Sequence, residues 1–242
     1  MPKIADHPNI TRVKLLWCGD PGAGKTGSLA TLANAGFNVN IIDIDNNLAI
    51  LKAYLSDEGA ERVSYVTIPA KDPQTWNKAV ALLDKWDDGV DPKTWDANTV
   101  LVVDSGTFLN EALMTNLCTA KGIKPEDAPP QALWGSMYKV FENFVAKLTS
   151  DKYKCHVIMT AHLRNLEDDR GLKKAYPSFM GQQLPNTVAR YMNNVWLAET
   201  KDGKRAILTQ STNLMSLKSS APHKLDAREA FDLGATFKKM GA

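Results

Sequence analysis

Across 242 residues the chain carries 29 Lys and Arg against 27 Asp and Glu, a formal net charge of +2, and 44% of its residues are hydrophobic. That length and apolar content suit one large α/β domain with a full core, and the near balance of charge permits nucleic-acid binding without arguing for it, since dedicated binders usually carry a stronger basic excess, leaving any such contact to local patches. No apolar stretch approaches the roughly 20 residues of a membrane span, and the leading MPKIADHPNITR lacks the apolar centre of a secretion signal, so a cytoplasmic protein with no membrane partner is expected.

In chain order, the residues up to Thr11 read as a polar lead-in and Val13 to Cys18 as the first strand. Directly after it, Gly19, Asp20, Pro21, Gly22, Ala23, Gly24, Lys25 and Thr26 match the phosphate-loop pattern G-x-x-x-x-G-K-[ST] without a mismatch. A loop that wraps a triphosphate aims several backbone N–H groups inward at once, which the side-chain-free Gly19, Gly22 and Gly24 permit. The helix that begins at about Gly24 and runs on through Gly27 turns its positive end to the same anion. That helix stops at Gly36, a good C-terminal cap, and Asn38 to Asp43 follows as a second strand.

Asn46 to Ser56 reads as a short helix and Val63 to Ile68 as an alternating strand. Asp72-Pro73 opens a helix carrying Trp76, Val80, Leu83 and Trp86. After a polar loop, Thr99 to Asp104 is a continuous apolar run, as expected of a strand buried on both faces. A helix from Thr107 to Thr119 leads into a proline-bearing irregular loop, Lys121 to Gln131. Leu133, Met137, Val140, Phe141, Phe144, Val145 and Leu148 then recur at helical spacing, and Lys154 to Thr160 is the next buried strand. The charge-rich stretch Arg164 to Pro185 is expected to be mobile. Asn194 to Glu199 and Lys204 to Gln210 flank Lys201-Asp202-Gly203, a hairpin signal. A late strand from Leu214 to Leu217 precedes a polar tail, residues 219–242, with one helix near Asp226 to Leu233. Alternating strands and helices predict an α/β fold with a mainly parallel sheet and a C-terminal antiparallel hairpin, in one domain with its core at about 13–218. Cys18, Cys118 and Cys155 are odd in number and widely spaced, so they read as core residues and not as a disulfide or metal framework.

The chemistry gathers at strand ends. Lys25 reaches the outer phosphates and the Thr26 hydroxyl faces Mg²⁺. Asp104, at the carboxyl end of a buried strand, is the metal-side acid. Asp43 and Asp45 end the second strand similarly. One of them polarises the attacking water; Asp45 is preferred over Asp43, with helix capping as the plain alternative. His162 follows the strand ending at Thr160, on the edge where open α/β sheets bind ligands, and reads either as a sensor of the terminal phosphate or as a strand-edge cap. Lys218 is the candidate for a cation reaching a phosphate across a subunit boundary, against the ordinary alternative of a solvated lysine.

GDPGAGKT, NIIDIDNNL, VLVVDSGTFL and VIMTAHLRN, in this order and spacing, resemble the RecA-like P-loop ATPase core. The short layout is similar to the phage-encoded RecA-like nucleotide-binding proteins linked to single-strand annealing and recombination. The likeness runs from about Val13 to Ser219. It implies ATP and Mg²⁺ as ligands, DNA-stimulated hydrolysis, Lys25, Asp45, Asp104 and His162 as catalytic residues, Asp45 in place of a catalytic glutamate, and His162 in place of a phosphate-sensing glutamine. It also implies single-stranded DNA against residues Lys121 to Gln131 and Arg164 to Gln183. In the second segment Arg164, Arg170, Lys173 and Lys174 supply phosphate contacts, and Tyr176 and Phe179 offer faces for bases. A homo-oligomer, as ring or filament, and a single-strand DNA-binding protein are the implied partners, in the host cytoplasm for a phage-encoded protein. Asp45 departs from the pattern in being one methylene shorter than glutamate. Two rival functions are a nucleotide-gated module that recruits a protein partner and a small-molecule kinase. The only lid a kinase would have, Arg164 to Lys174, mixes its bases with Glu167, Asp168 and Asp169. No Asn-Lys-x-Asp guanine-reading motif follows a strand, which disfavours a GTPase.

Overall fold

In the computed structural model, which describes residues 12–124, 126–167, 171 and 173–242, the strand before the phosphate loop is β1 (Lys14–Gly19). It is followed by helix α1 (Lys25–Asn34), β2 (Asn38–Asp43), a 3-10 helix (Leu48–Ala53), α2 (Asp57–Ala60), β3 (Val63–Thr67), α3 (Thr75–Leu82) and β4 (Thr99–Asp104). Then come α4 (Gly106–Ala120), α5 (Gln131–Leu148), β5 (His156–Ala161), β6 (Leu163–Glu167), β7 (Lys173–Pro177) and α6 (Leu184–Tyr191). The chain closes with β8 (Asn194–Lys201), β9 (Lys204–Leu208), β10 (Arg228–Ala230) and α7 (Leu233–Met240). The main sheet has the order β10-β9-β8-β1-β5-β4-β2-β3, and β6 pairs with β7 in a separate two-stranded sheet.

Strands β8, β1, β5, β4, β2 and β3 are parallel, while β9 is antiparallel to β8 and β10 to β9. The apolar runs are continuous because both faces are covered. Along β1 and β4, Leu16, Cys18, Leu101 and Val103 enter one core with α5 residues such as Met137 and Phe141. Their neighbours Leu15, Trp17, Val100 and Val102 enter the other, with Leu29 and Leu32 of α1 and Phe237 of α7. Each such fully buried side chain contributes about 1.5–3 kcal/mol of transfer free energy. Parallel running of β1, β2, β4 and β5 brings the chain that follows each to one edge, where Gly19, Asp45, Asp104 and His162 meet.

Five expectations need correction. The helix expected from Asn46 is a six-residue 3-10 helix in which only Leu51 is buried, so no apolar face extends it. The helix expected from Asp72 begins at Thr75, because the Asp72 carboxylate accepts from the Gln74 N–H at 2.8 Å and holds a turn instead. The segment Arg164 to Pro185 holds the β6–β7 hairpin and the start of α6. Leu214 to Leu217 forms no strand: the Leu217 N–H donates to Ser211 Oγ at 2.9 Å and the Met215 N–H to Thr212 Oγ1 at 3.1 Å. Those hydroxyls take the place of a ladder. In the tail, β10 and α7 replace the helix near Asp226. Asp232 caps α7 through the Ala235 N–H at 2.8 Å, and Leu233, Phe237 and Met240, at i, i+4 and i+7, are buried.

Candidate functional site

Positive φ at Gly24, +91°, turns the phosphate loop into α1. At Gly19 a Cβ would stand 2.9 Å from that of Ala198 on β8. The Lys25 side chain is 6% exposed, and its ammonium donates to the Gly19 carbonyl at 2.8 Å and the Asp20 carbonyl at 3.1 Å. Its third neighbour is His162 Nδ1, at 3.4 Å. Burial lowers the Lys25 pKa, opposed by the charges of Asp104 and Asp45. The cation is held in a place where a phosphate oxygen gains a poorly hydrated partner.

Asp104 is 1% exposed. Its Oδ2 accepts from Thr26 Oγ1 at 2.8 Å, and its Oδ1 accepts from Thr160 Oγ1. Burial, and then the neighbouring Asp45 charge, push its carboxyl up to about 6, against the two hydroxyl hydrogen bonds. A carboxylate so placed beside a hydroxyl is a hard-oxygen pair that fits a divalent cation. Among the described residues no group of three or more His, Cys, Asp or Glu is arranged to hold a metal. Two protein oxygens suit a cation that keeps waters and phosphate oxygens as its other ligands.

Asp43, at the end of β2, and Asp45, two residues beyond it, have different partners. Asp43 accepts from the Asn46 N–H at 2.9 Å and from Thr67 Oγ1 at 2.9 Å, so it ties a turn to β3. Asp45 lines the cleft with Lys25, Thr26 and His162. Its Oδ1 accepts from Ser105 Oγ at 2.7 Å and its Oδ2 lies 3.3 Å from His162 Nε2. The His162 backbone N–H donates to Thr107 Oγ1 at 3.1 Å, and its ring packs edge-on to Phe108.

Beyond His162 the structure separates the residues expected along the charged segment. The register pairs Arg164 with Tyr176, Leu166 with Lys174 and Glu167 with Lys173. Side chains opposite one another in an antiparallel pair share a face, so Arg164, Leu166, Lys174 and Tyr176 form one face and Lys173 sits on the other, opposite Glu167. Arg164 donates to the Gly181 carbonyl. Phe179 is 2% exposed and packs on Phe141 at 5.5 Å, so it belongs to the core and offers no face to a base. Arg170 lies outside the described residues. Lys218 is exposed and pairs through its backbone with Val195, away from the residues that line the cleft.

Five residues of the site are given no role there by the sequence alone. Ser105 and Thr160 orient the two acids; each directly follows or ends a strand already singled out, and that position is the signal that finds them. Tyr54, Ile50 and Arg205 line the outer part of the cleft, about 310 Å³ in volume, with Gly22, Gly24 and Gly27. They come from the 3-10 segment and from β9, and only the fold brings those to the loop.

No curated protein sequence matches the chain. An ATPase of the type III secretion system of pathogenic bacteria matches in structure with a TM-score of 0.49 and 14% identity, over 77% of this chain and 52% of its own. The ATP synthase subunit NeqB from Nanoarcheaum equitans matches with a TM-score of 0.47 and 12% identity, over 94% of this chain and 54% of its own. The chain thus spans about half the length of these structures, and likenesses this weak bear on neither substrate nor partner. The family described as AAA domain matches residues 11–220, most of the chain. With the phosphate loop, its buried lysine and the strand-end acids converging on one cleft, the chain belongs to that AAA domain family and is a P-loop ATPase.

Proposed function

We propose that this ATPase works with Mg²⁺ and acts on single-stranded DNA in recombination or annealing. The loop amides and Lys25 hold the phosphates, Thr26 and Asp104 hold the metal, and Asp45 orients the attacking water. When bound, Mg²⁺ supplies positive charge to phosphate oxygens that gain negative charge in the transition state. Ser105 fixes one oxygen of Asp45 and His162 the other, so the carboxylate meets the water with its orientation already set.

The observation that carries the DNA reading is the double attachment of His162. Its ring stands between Lys25 and Asp45, and its carbonyl accepts from the Ser178 N–H at 2.7 Å, closing the base of the β6–β7 hairpin. A terminal phosphate that draws Lys25 toward itself alters the partner of His162 and thereby the seat of the hairpin. The Arg164, Leu166, Lys174 and Tyr176 face offers cations and a ring to a strand of nucleotides.

The test is ATP turnover titrated with single-stranded and with duplex DNA, at fixed Mg²⁺. Stimulation by single strands well above that by duplex is expected. Turnover indifferent to both would leave an ATPase whose partner is not DNA.

A further inference from the structure

We infer that Tyr54 and Arg205 form a clamp for the base of the bound nucleotide, closing the outer end of the phosphate cleft from two different elements. The inference rests on the phosphate-loop reading above and adds the residues that hold the other half of the ligand.

The polarity of the cleft fixes where the base lies. Lys25, Thr26, Asp104, Asp45 and His162 crowd one end and receive the terminal phosphates. The nucleoside must leave toward the opposite end, past Gly24 and Gly27. There the walls change character. A Cβ on Gly27 would stand 3.1 Å from the Tyr54 ring, and one on Gly24 would stand 3.1 Å from the Arg205 guanidinium. Both groups therefore overhang the loop itself.

Tyr54 and Ile50 are 47% and 40% exposed, among the most exposed large apolar side chains of the described residues. Two such groups side by side at the mouth of a phosphate cleft offer apolar surface where phosphate chemistry has no use for it, but a base does. Arg205 is exposed yet held: its Nη2 donates to the Gly22 carbonyl at 3.3 Å, its Nη1 to Tyr54 Oη at 3.4 Å, and its guanidinium lies 5.9 Å from the centre of the Phe231 ring. Phe231 thus backs the guanidinium while Tyr54 faces it across the cleft. A base sliding between them exchanges the single Arg205–Tyr54 hydrogen bond, between exposed groups, for stacking on the phenol and cation–π contact with the guanidinium. Arg205 has the length to swing aside, since it is fastened by two long hydrogen bonds and no ion pair is formed by it among the described residues.

The experiment compares ATP with inorganic triphosphate, each with Mg²⁺, by calorimetry on the full chain. Wild type is expected to bind ATP the more tightly. Tyr54→Ala and Arg205→Ala should each weaken ATP about 5- to 100-fold, the range of a base–aromatic stack, and leave triphosphate binding unchanged. Tyr54→Phe keeps the ring and should hold ATP within about 2-fold of wild type; Arg205→Lys keeps the charge without the planar face and should resemble Arg205→Ala. Thermal melts identify any variant that fails to fold, for which the conservative partner decides. The clamp is overturned by ATP affinity unaltered in Tyr54→Ala and Arg205→Ala, or by equal losses for ATP and triphosphate, which would make the pair a brace for the loop. Failure of wild type to bind triphosphate and ATP alike would remove the phosphate-loop reading and the clamp with it.

Discussion

His162 stands between Lys25 and Asp45, with Nδ1 3.4 Å from the ammonium and Nε2 3.3 Å from a carboxylate oxygen. A lysine ammonium can only donate, so Nδ1 is the nitrogen that accepts at its contact with Lys25, and Nε2 is the nitrogen turned toward Asp45. The histidine thereby couples the group that holds the outer phosphate to the group that orients the water. Removing it should disturb turnover more than binding. His162→Ala is expected to lower turnover about 10- to 100-fold while ATP affinity moves by less than about 3-fold, and His162→Gln, which can both donate and accept, should recover part of the loss. Steady-state kinetics with calorimetry checks both; equal losses in turnover and affinity would mean that the ring serves only to shape the pocket.

Lys25→Ala removes the side-chain cation of the loop from a site where it is poorly hydrated. Loss of such a charge-assisted contact costs on the order of 2–4 kcal/mol, so ATP affinity should fall about 30- to 1000-fold. Calorimetry returning wild-type affinity would exclude the loop as the phosphate site.

Asp104→Asn separates catalysis from stability. The folded protein raises this carboxyl to about 6, above its ordinary value near 3.9. The folded state therefore binds the proton more tightly than the unfolded chain. Between about pH 4 and 6 that difference destabilises the fold progressively as pH rises, and above pH 6 the full cost, on the order of 3 kcal/mol, is present. Asp104→Asn should remove most Mg²⁺-dependent hydrolysis, keep part of the ATP affinity, and melt higher than wild type at pH 7, with the gain shrinking as pH falls below about 6. Melting curves from pH 4 to 7.5 supply the check, and a gain independent of pH would assign the penalty to some other group.

Where periodicity and strand-end chemistry carried the signal, the sequence was legible. The run at 99–104 is fully buried on both faces as β4, and the hairpin around Lys201-Asp202-Gly203 joins β8 to β9. Lys25, Thr26, Asp45, Asp104 and His162 meet because parallel strands deliver their ends to one edge. The hairpin of β6 and β7 escaped because its strands are largely polar on both faces, leaving no alternation to read. Phe179 looked like a free ring among charges, but pattern alone does not tell an aromatic at a hairpin's foot from one on its surface, and the packing against Phe141 decides it. Tyr54 and Arg205 stand 151 positions apart, a separation no local motif spans.

The last prediction concerns the hairpin as a DNA surface. Lys174 shares its face with Arg164, Leu166 and Tyr176, whereas Lys173 stands opposite Glu167, whose charge offsets its own. The two lysines are therefore unequal. Lys174→Ala should weaken binding of a labelled single strand several-fold and reduce its salt slope by about 1, and Lys173→Ala should do less. Tyr176→Ala should cost about 5-fold or more where a base stacks on it, while Phe179→Leu should lower the melting temperature and leave DNA affinity intact. Because the His162 carbonyl closes the hairpin while its ring meets Lys25 and Asp45, a non-hydrolysable ATP analogue should tighten DNA binding relative to ADP. DNA should then tighten the analogue by the same factor, as linkage requires. Fluorescence anisotropy in three conditions, without nucleotide, with ADP and with the analogue, reads the first factor, and calorimetry of the analogue with and without DNA reads the second. Equal DNA affinity in all three conditions would break the coupling through His162, and equal, negligible effects of Lys173→Ala and Lys174→Ala would place the DNA somewhere other than this hairpin.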